Sequence, residues 1–418
     1  MSIGYACLTV GVSDTNLKTC ILKNVNEEKL LELISHNLNS LENIIEYNIK
    51  NNIMLFRISS DLIPFGSSPA NNILWWDIFA SRFIEIGEKI KASGMRVSMH
   101  PGQYTVLNSP TIDVANRAVD DLNYHTKVLD SLGVGAEHKI ILHIGGVYND
   151  KKQAISRFIT NYGYLKPSVK QRLVIENDDK SYNINDVLEI GIKLNIPVIF
   201  DNLHNEINFC SKEESAIYWI NECKKTWKEK DGYQKMHYSQ QDPLKKTGSH
   251  SKSIEINEFI DFYERLGRKD IDIMLEVKDK NLSAVKCINC TSTNKKIKEL
   301  EIEWSKYKYK VLENSHSDYL QIRKLLENKK NYPAISFYNL IEDALQKETV
   351  IGDSINAAMH VWGYFKNIAS DKEKSNFLRS IEEYSEGKKS ISVIKNNLWK
   401  MVVKYQQSYL LDSYYFVM

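Results

Sequence analysis

The stretch RLVIENDDKSYNINDVLEIGIKLNIPVIFD, residues 172 to 201, contains two short apolar runs separated by a polar loop and an amphipathic segment. RLVIEN (172–177) and IPVIFD (196–201) have the length and composition of buried strands, whereas the segment between them has the length of a helix. This order of strand, loop, helix and strand is typical of a parallel sheet.

The same unit recurs along the first 280 or so residues. Besides the two runs above, the strand candidates are SIGYACL (2–8), IMLFRIS (53–59), RVSMH (96–100), KIILHI (139–144), YQKMHYS (233–239) and DIMLEVK (272–278). Amphipathic segments such as EEKLLELISHNLNSLENIIEYNIK (27–50) lie between them. Eight units of this size predict a closed (β/α)8 TIM barrel. An open doubly wound sheet is the alternative, and the lack of G-x-G-x-x-G after the first run weakens its dinucleotide-binding version.

After about residue 290 the alternation ends, and the chain becomes lysine-rich with a helical apolar period. The polar stretch TSTNKK (291–296) separates the two patterns. We therefore predict a barrel domain over residues 1–290 and a smaller helical domain over residues 291–418. A length of 418 residues, with 43% apolar and 26% charged residues, fits two globular domains.

Several classes of protein are disfavoured by composition. No stretch approaches 18 consecutive apolar residues, and the N-terminus lacks the pattern of a secretory signal, so we expect a cytoplasmic protein without membrane segments. The six cysteines are thinly spread, and the C-x-x-C of Cys287 and Cys290 has no second pair at zinc-site spacing. Reduced thiols are therefore expected.

The net charge of +2 is too small to indicate nucleic-acid binding by itself. Lys245, Lys246 and Lys252 flank His250 in one loop and would suit phosphate groups. A solvated surface loop would have the same composition. Any DNA contact has to come from such local patches.

Polar residues stand at the C-terminal ends of six successive strand candidates, which is where barrel enzymes place their chemistry. Five of the ten histidines and three carboxylates lie at these ends or, like His204 and His250, in the segments that follow them: His100, His143, Glu176, Asp201, His204, His237, His250 and Glu276. One such histidine would be unremarkable, but residues from neighbouring strand ends converge on the barrel mouth. Apolar packing requires none of them.

Imidazole and carboxylate together are ligands for Mn, Zn or Fe, and eight of them exceed what one ion takes. The pattern therefore predicts a centre of two or three divalent metal ions. Such centres hydrolyse phosphate esters. A metal-dependent sugar isomerase is an alternative, because those barrels also have histidines and carboxylates at the mouth.

Lys235 is the exception among these residues, because a nearby metal ion would repel its ammonium group. Two interpretations are open. It is either an ordinary lysine that reaches a phosphate, which the spacing alone favours, or a neutral amine that has reacted with carbon dioxide to form an anionic ligand.

At these positions the sequence resembles the UV damage endonuclease family. The matching segments are GYAC (4–7), FRISSDLIPFGS (56–67), SMHPGQYTVLNSP (98–110), ILHIGG (141–146), VIENDD (174–179), PVIFDNLHN (197–205), KMHYSQQDP (235–243) and MLEVKDK (274–280). They occur in order and in the expected strand contexts. HPGQY and the D-x-x-H after the sixth strand are the most specific strings.

The resemblance implies a barrel related to endonuclease IV that cuts double-stranded DNA immediately 5′ to UV photoproducts, preferably with manganese, as a monomer. It implies that the eight histidines and carboxylates bind metal. Lys235 matches the family's carboxylated lysine, which reverses the preference from spacing, and Lys235, Glu176 and Glu276 are expected to be catalytic. Gln103 and Tyr104 match residues that probe the duplex, and Tyr5 matches an aromatic residue near the damaged bases.

One position departs from the family pattern. Ser68 stands where the family has histidine, and a hydroxyl is a poor substitute for imidazole as a ligand. Either His125 or Asp61 compensates, or the activity is reduced or altered. A damage-binding protein without catalysis is therefore an alternative. An abasic-site endonuclease of the related barrel family is another alternative, independent of Ser68.

The C-terminal segments HVWGYFKN (360–367), FLRSIEEYSEGKKSISV (377–393) and SYLLDSYYF (408–416) resemble the bacterial YbgA-like domain of unknown function. This resemblance implies no chemistry.

Overall fold

A computed structural model of the chain describes residues 1–211 and 213–418. Eight parallel strands pair in sequence order and close into a barrel, since β1 also pairs with β8. The strands are β1 (Ile3–Ala6), β2 (Leu55–Ile58), β3 (Arg96–Met99), β4 (Ile140–His143), β5 (Leu173–Glu176), β6 (Val198–Asp201), β7 (Gln234–Tyr238) and β8 (Ile271–Leu275). Each predicted run contains one strand or overlaps it, so the (β/α)8 fold is confirmed.

Helices follow the strands and continue to the end of the chain. The α-helices are α1 (Glu27–Lys50), α2 (Trp75–Ile78), α3 (Ala80–Ser93), α4 (Ile112–Ser131), α5 (Lys151–Gly163), α6 (Pro167–Arg172), α7 (Ile184–Leu194), α8 (Asn202–Ile207), α9 (Ala216–Lys224), α10 (Ile256–Leu266), α11 (Asn281–Thr291), α12 (Ile297–Asn314), α13 (His316–Leu325), α14 (Ala334–Gln346), α15 (Ile351–Trp362), α16 (Asp371–Ser385), α17 (Ile391–Lys404) and α18 (Ser408–Leu411). Short 3-10 turns lie at Leu22–Asn24, Ser60–Leu62, Glu229–Asp231 and Tyr414–Phe416.

Local chemistry explains the unit at 172–201. Helix α7 begins with a capping box, in which Asn183 Oδ1 accepts from the Asp186 amide at 3.1 Å and Asp186 Oδ2 accepts from the Asn183 amide at 3.0 Å. It ends where Asn195 adopts a left-handed conformation with φ of 57°. The helix therefore starts and stops within the connection and returns the chain to β6.

Two small apolar clusters show which residues face the barrel interior. Ala6, Leu55 and Met274 form one, and Ile141, Val174 and Ile199 form the other. Side chains alternate between the two faces of a strand, so a residue two positions beyond an interior residue also faces inward. Four of the predicted ligands, His143, Glu176, Asp201 and Glu276, occupy such positions.

The N-terminal end of the barrel is closed by buried charge pairs. Lys139 Nζ lies 2.6 Å from Asp231 Oδ1, and Arg96 Nη1 lies 3.1 Å from Asp272 Oδ2. Each ion is buried with a partner, which avoids most of the cost of leaving a charge unpaired. At the opposite end, by contrast, some buried polar atoms, such as Asp201 Oδ2 and His237 Nε2, have no hydrogen-bond partner among the described residues.

The described residues divide into two compact units. The first contains Met1–Thr9, Ser13–Ile254 and Asp261–Ile288, and the second contains Val10–Val12, Glu255–Ile260 and Asn289–Met418. Compactness does not test independent folding, so the domain boundary at residues 290 and 291 stays a prediction.

The second unit has an aromatic and aliphatic core of its own. Trp362 and Phe377 stack with ring centroids 4.4 Å apart and an angle of 11° between the rings. Ile394 and Leu398 of α17 are fully buried in the same cluster. The lysine-rich helical pattern thus forms a packed helical unit, as the sequence predicts.

None of the helices formed by the described residues has the length and apolar composition required to cross a membrane.

The strands of the barrel pack closely at Gly4, and a substitution there tests this packing. A Cβ at this position would overlap the Leu55 backbone oxygen of the neighbouring strand. We expect Gly4→Ala to lower the free energy of unfolding by about 3 kcal/mol, measured by denaturant titration. Gly163→Ala is the control, because nothing lies within 4 Å of a Cβ there. Equal stability of the two variants would contradict this packing.

Candidate metal centre

Glu176, the last residue of β5, is the point at which the candidate ligands meet. Its Oε1 lies 2.6 Å from His237 Nδ1, and its Oε2 lies 3.1 Å from His100 Nε2 and 3.7 Å from His143 Nε2. Three strands therefore direct imidazole nitrogens at one buried carboxylate. The interior-facing strand ends bring these groups together, as barrel closure requires.

Glu276 forms a second junction just beyond β8. Its Oε1 lies 3.3 Å from His237 Nδ1, and its Oε2 lies 3.8 Å from His250 Nε2. Arg57, on β2, places Nη1 2.5 Å from Glu276 Oε1. His237 is thus shared by the two carboxylates, and the two junctions are continuous.

Asp201 and His204 form the third part of the site. Asp201 Oδ1 caps α8 by accepting from the His204 amide at 2.8 Å. Asn177 holds both residues, because its side-chain oxygen accepts from the Asp201 amide at 2.9 Å and its backbone oxygen lies 2.9 Å from His204 Nδ1. The Nδ1 contact leaves His204 Nε2 for another partner.

Two triads in the described residues have ligand atoms within 4.8 Å of one another. They are His100, His143 and Glu176, and Glu176, Asp201 and His237. Glu176 belongs to both, so the geometry offers two adjacent positions for cations. His204 lies beside the first triad, with its ring centroid 5.7 Å from that of His143.

The carboxylates are held in different electrostatic environments. Burial opposes ionisation of Glu176, but His237 and His143 outweigh it, so the Glu176 pKa lies well below its usual range. Burial likewise opposes ionisation of Glu276, and the Arg57 guanidinium and His237 lower its pKa. Burial raises the pKa of Asp201 to about 6. The Glu176 and Glu276 carboxylates are therefore ionised at neutral pH, as metal ligands have to be.

The histidines differ as well. Loss of solvent lowers the pKa of His143 to about 4, so its ring is neutral. Burial also opposes protonation of His204, but Asp201 and Glu176 outweigh it and raise its pKa to about 9. A cation bound at His204 would have to displace that proton, which makes its affinity dependent on pH.

Lys235 lies inside the barrel, two residues before His237 on β7, and is fully buried. Its Nζ has no hydrogen-bond partner in the part of the chain that the structure describes. Burial and the nearby Arg96 guanidinium lower the pKa of its amine well below the usual range. An unpartnered amine at this depth has lost hydrogen bonds that a ligand or a chemical modification would restore.

Buried polar atoms without hydrogen-bond partners indicate whether the site suits a metal centre. Within residues 1–211 and 213–418, Asp201 Oδ2 and His237 Nε2 are buried without a hydrogen-bond partner. Such orphaned atoms are costly unless something else binds them. Together with the imidazole and carboxylate donor set, they fit divalent cations.

The loop after β3 carries Gln103 and Tyr104 beside the site. Gln103 is exposed, and Tyr104 is 68% exposed with its ring over Gly102. Gln103 also borders a cavity of about 350 Å³ that reaches His143 and His204. Both predicted probe residues are therefore accessible to a large substrate.

Tyr5 is placed differently from the prediction. It is fully buried, and its hydroxyl donates to Asn48 Oδ1 of α1 at 2.8 Å. Ala6 belongs to an interior cluster, so Tyr5, one residue earlier, faces the helical layer. This position does not fit a contact with damaged bases.

The structure does not bring Ser68, His125 or Asp61 into the ligand set. The Ser68 hydroxyl accepts from the Ala70 amide at 3.2 Å, and Asp61 is exposed. His125 is fully buried with both ring nitrogens engaged, at 2.8 Å from Ser60 Oγ and 2.7 Å from the Asp121 backbone oxygen. Neither suggested replacement therefore belongs to the ligand triads found in the described residues.

Arg57 and Asn177 are site residues that the sequence analysis did not single out. Arg57 lies two residues beyond the interior residue Leu55, and Asn177 directly follows Glu176. The two-residue alternation would have shown that Arg57 faces inward. No comparable signal would have shown the hydrogen bonds of Asn177.

A TIM barrel whose mouth combines five histidines with buried carboxylates defines a candidate metal-centre enzyme. Residues 1–308 match the family model described as UV-endonuclease UvdE, and residues 308–418 match that of a protein of unknown function, DUF1722. The chain therefore belongs to the UV-endonuclease family.

Individual proteins agree with this assignment. The UV DNA damage endonuclease of Clostridium perfringens (strain 13 / Type A) is 44% identical over 406 residues, covering 94% of this chain and 95% of that protein. The UV DNA damage endonuclease of Bacillus cereus (strain G9842) is 33% identical, covering 68% of this chain and 90% of that protein. The crystal structure of SacUVDE superposes with a TM-score of 0.66 at 39% identity, covering 72% of this chain and 99% of that chain.

Glu176 is the best position for a test of metal binding, because it belongs to both triads. We expect Glu176→Gln to lower the bound metal per chain to half or less of the wild-type value, measured by elemental analysis after dialysis. Glu137→Gln, at the opposite end of the barrel, is the control. Unchanged metal content in Glu176→Gln would show that Glu176 is not a ligand.

Proposed function

We propose that the protein hydrolyses the phosphodiester bond immediately 5′ to UV photoproducts in double-stranded DNA, leaving a 3′-hydroxyl and a 5′-phosphate. Cyclobutane pyrimidine dimers and 6-4 photoproducts are the proposed lesions. The observation that carries the proposal is the convergence of His100, His143 and His237 on the Glu176 carboxylate. The exposed Gln103 and Tyr104 beside that site, and the activity named for the relatives, support it.

The proposed centre holds two or three divalent ions, with Mn²⁺ the first choice and Zn²⁺ or Fe²⁺ the alternatives. The proposed ligands are His100, His143, Glu176, Asp201, His204, His237, His250 and Glu276, with Lys235 in carboxylated form. Such ions, when bound, supply an activated water near neutral pH and neutralise charge on the phosphate.

Three residues of the chain are proposed to be catalytic. Glu176 and Glu276 contribute ionised carboxylates, and Arg57 fixes the Glu276 carboxylate through its 2.5 Å contact. Lys235 becomes anionic if its neutral amine adds to carbon dioxide and releases a proton. The unpartnered Nζ is consistent with such a modification.

The protein also has to distinguish damaged from undamaged duplex. A glutamine amide can fill hydrogen bonds vacated by extruded bases, and a tyrosine ring can stack where they stood. The exposure of Gln103 and Tyr104 supports these roles for them, whereas Tyr5 is buried. Lys245, Lys246 and Lys252 are exposed and would contact phosphates.

The direct test uses purified full-length protein with Mn²⁺ and supercoiled plasmid. We expect nicking of UV-irradiated plasmid, no nicking of undamaged plasmid, and loss of nicking on chelation. Equal cutting of both plasmids would refute lesion specificity. Preferential cutting of a tetrahydrofuran-containing duplex over one with a pyrimidine dimer would favour an abasic-site endonuclease instead.

Tyr104→Ala tests the probe loop separately from the metal centre. We expect the ratio of incision of damaged to undamaged duplex to fall about tenfold, the scale of one lost stacking contact, while bound metal is unchanged. Tyr164→Ala, which removes a tyrosine that is 82% exposed next to the C-terminus of α5, is the control. The same ratio in both variants would show that Tyr104 does not read the lesion.

A further inference from the structure

A chain of polar contacts connects the two ends of the loop that carries Gln103 and Tyr104. Ser60 Oγ lies 2.8 Å from the His100 backbone oxygen and 2.8 Å from His125 Nε2, and its single hydrogen can be donated to one of these two acceptors at a time. His125 Nδ1 lies 2.7 Å from the Asp121 backbone oxygen, and the Thr105 hydroxyl donates to Asp121 Oδ2 at 2.7 Å. The chain therefore starts at His100 and ends at Thr105.

Three of the four connecting residues are shielded from solvent, and the fourth, Ser60, is half-buried. Thr105 and Asp121 are each 3% exposed, and His125 is fully buried. Hydrogen bonds in such surroundings are stronger than at the surface, and an unpaired carboxylate there is costly. Helix α4, which supplies Asp121 and His125, thus anchors the loop at both ends.

The loop between the anchors is also held internally. The Thr105 amide donates to the Gly102 backbone oxygen at 2.9 Å, and the Tyr104 ring packs over Gly102. The anchors are buried, whereas the tip residues Gln103 and Tyr104 are exposed. A loop fixed in this way loses little conformational entropy when its tip contacts a partner.

We propose that Ser60, His125, Asp121 and Thr105 are positioning residues that preorganise Gln103 and Tyr104 for reading the duplex. This inference rests on the proposed function, in which the tip recognises the lesion. The positioning residues act through the loop and contact neither DNA nor metal. Their contribution lies in discrimination between substrates.

Thr105→Val removes only the hydroxyl that reaches Asp121 and keeps the size of the side chain. Thr105→Ser keeps the hydroxyl and is expected to behave like wild type. Thr126→Val is the matched control. Thr126 lies on α4, the helix that supplies Asp121 and His125, and like Thr105 it is 3% exposed. Its hydroxyl has no partner among the described residues. All variants are compared as full-length protein.

The first measurement is amide hydrogen exchange of the peptide that contains residues 102–105. We expect exchange about tenfold faster in Thr105→Val than in wild type, the scale of one lost hydrogen bond to a charged group. Thr105→Ser and Thr126→Val should match wild type. Unchanged exchange in Thr105→Val, or the same increase in Thr126→Val, would overturn the proposal.

The second measurement is the ratio of incision of UV-damaged to undamaged duplex. We expect Thr105→Val to lower it severalfold with bound metal unchanged, and to have no further effect when combined with Tyr104→Ala. An equal loss in the presence and absence of Tyr104 would show a general structural effect and overturn the proposal, as would a parallel loss of metal.

The two measurements distinguish failure of the proposed function from failure of the proposed anchoring of the loop. A wild-type protein that does not cut UV-damaged duplex refutes the proposed function, and the claim about lesion reading falls with it. The exchange rates still decide whether the chain of polar contacts holds the loop.

Discussion

The alternation of side chains along eight closed parallel strands is the constraint on which the site depends. His143, Glu176 and Asp201 each stand two residues beyond an apolar residue of one interior cluster. The same spacing relates Glu276 and Arg57 to the other cluster. Apolar packing in the middle of the barrel therefore fixes the direction in which the polar strand ends point.

The two ends of the barrel differ in how their charged residues are paired. The N-terminal end is neutralised by internal pairs such as Lys139 with Asp231, whereas the mouth gathers carboxylates and imidazoles with unpartnered atoms. Arg57 and His237 offset part of the negative charge by contacting Glu276. The strands already hold the remaining donors in place, as a preorganised cation site would require.

Much of the fold and most of the candidate ligands were predictable, because both follow from the local pattern of apolar and polar residues along the sequence. Each strand candidate was a short apolar run, and all the ligand candidates except His204 and His250 stood on or at the end of such a run. A matching motif did not show whether a strand residue faces the barrel interior or the surrounding helices. Tyr5 belongs to a matching motif, yet the interior position of Ala6 turns Tyr5 toward α1, where Asn48 accepts from its hydroxyl.

The sequence by itself determined the eight strands, the helical second part and the residue types at the strand ends, since these depend on periodicity and neighbouring residues. Only the tertiary structure decided which groups meet: that Glu176 is shared by three histidines, that Arg57 reaches Glu276, and that His125 is buried behind Ser60. Such contacts join residues up to 219 positions apart. Their distances are set by barrel closure and helix packing, which no local pattern specifies.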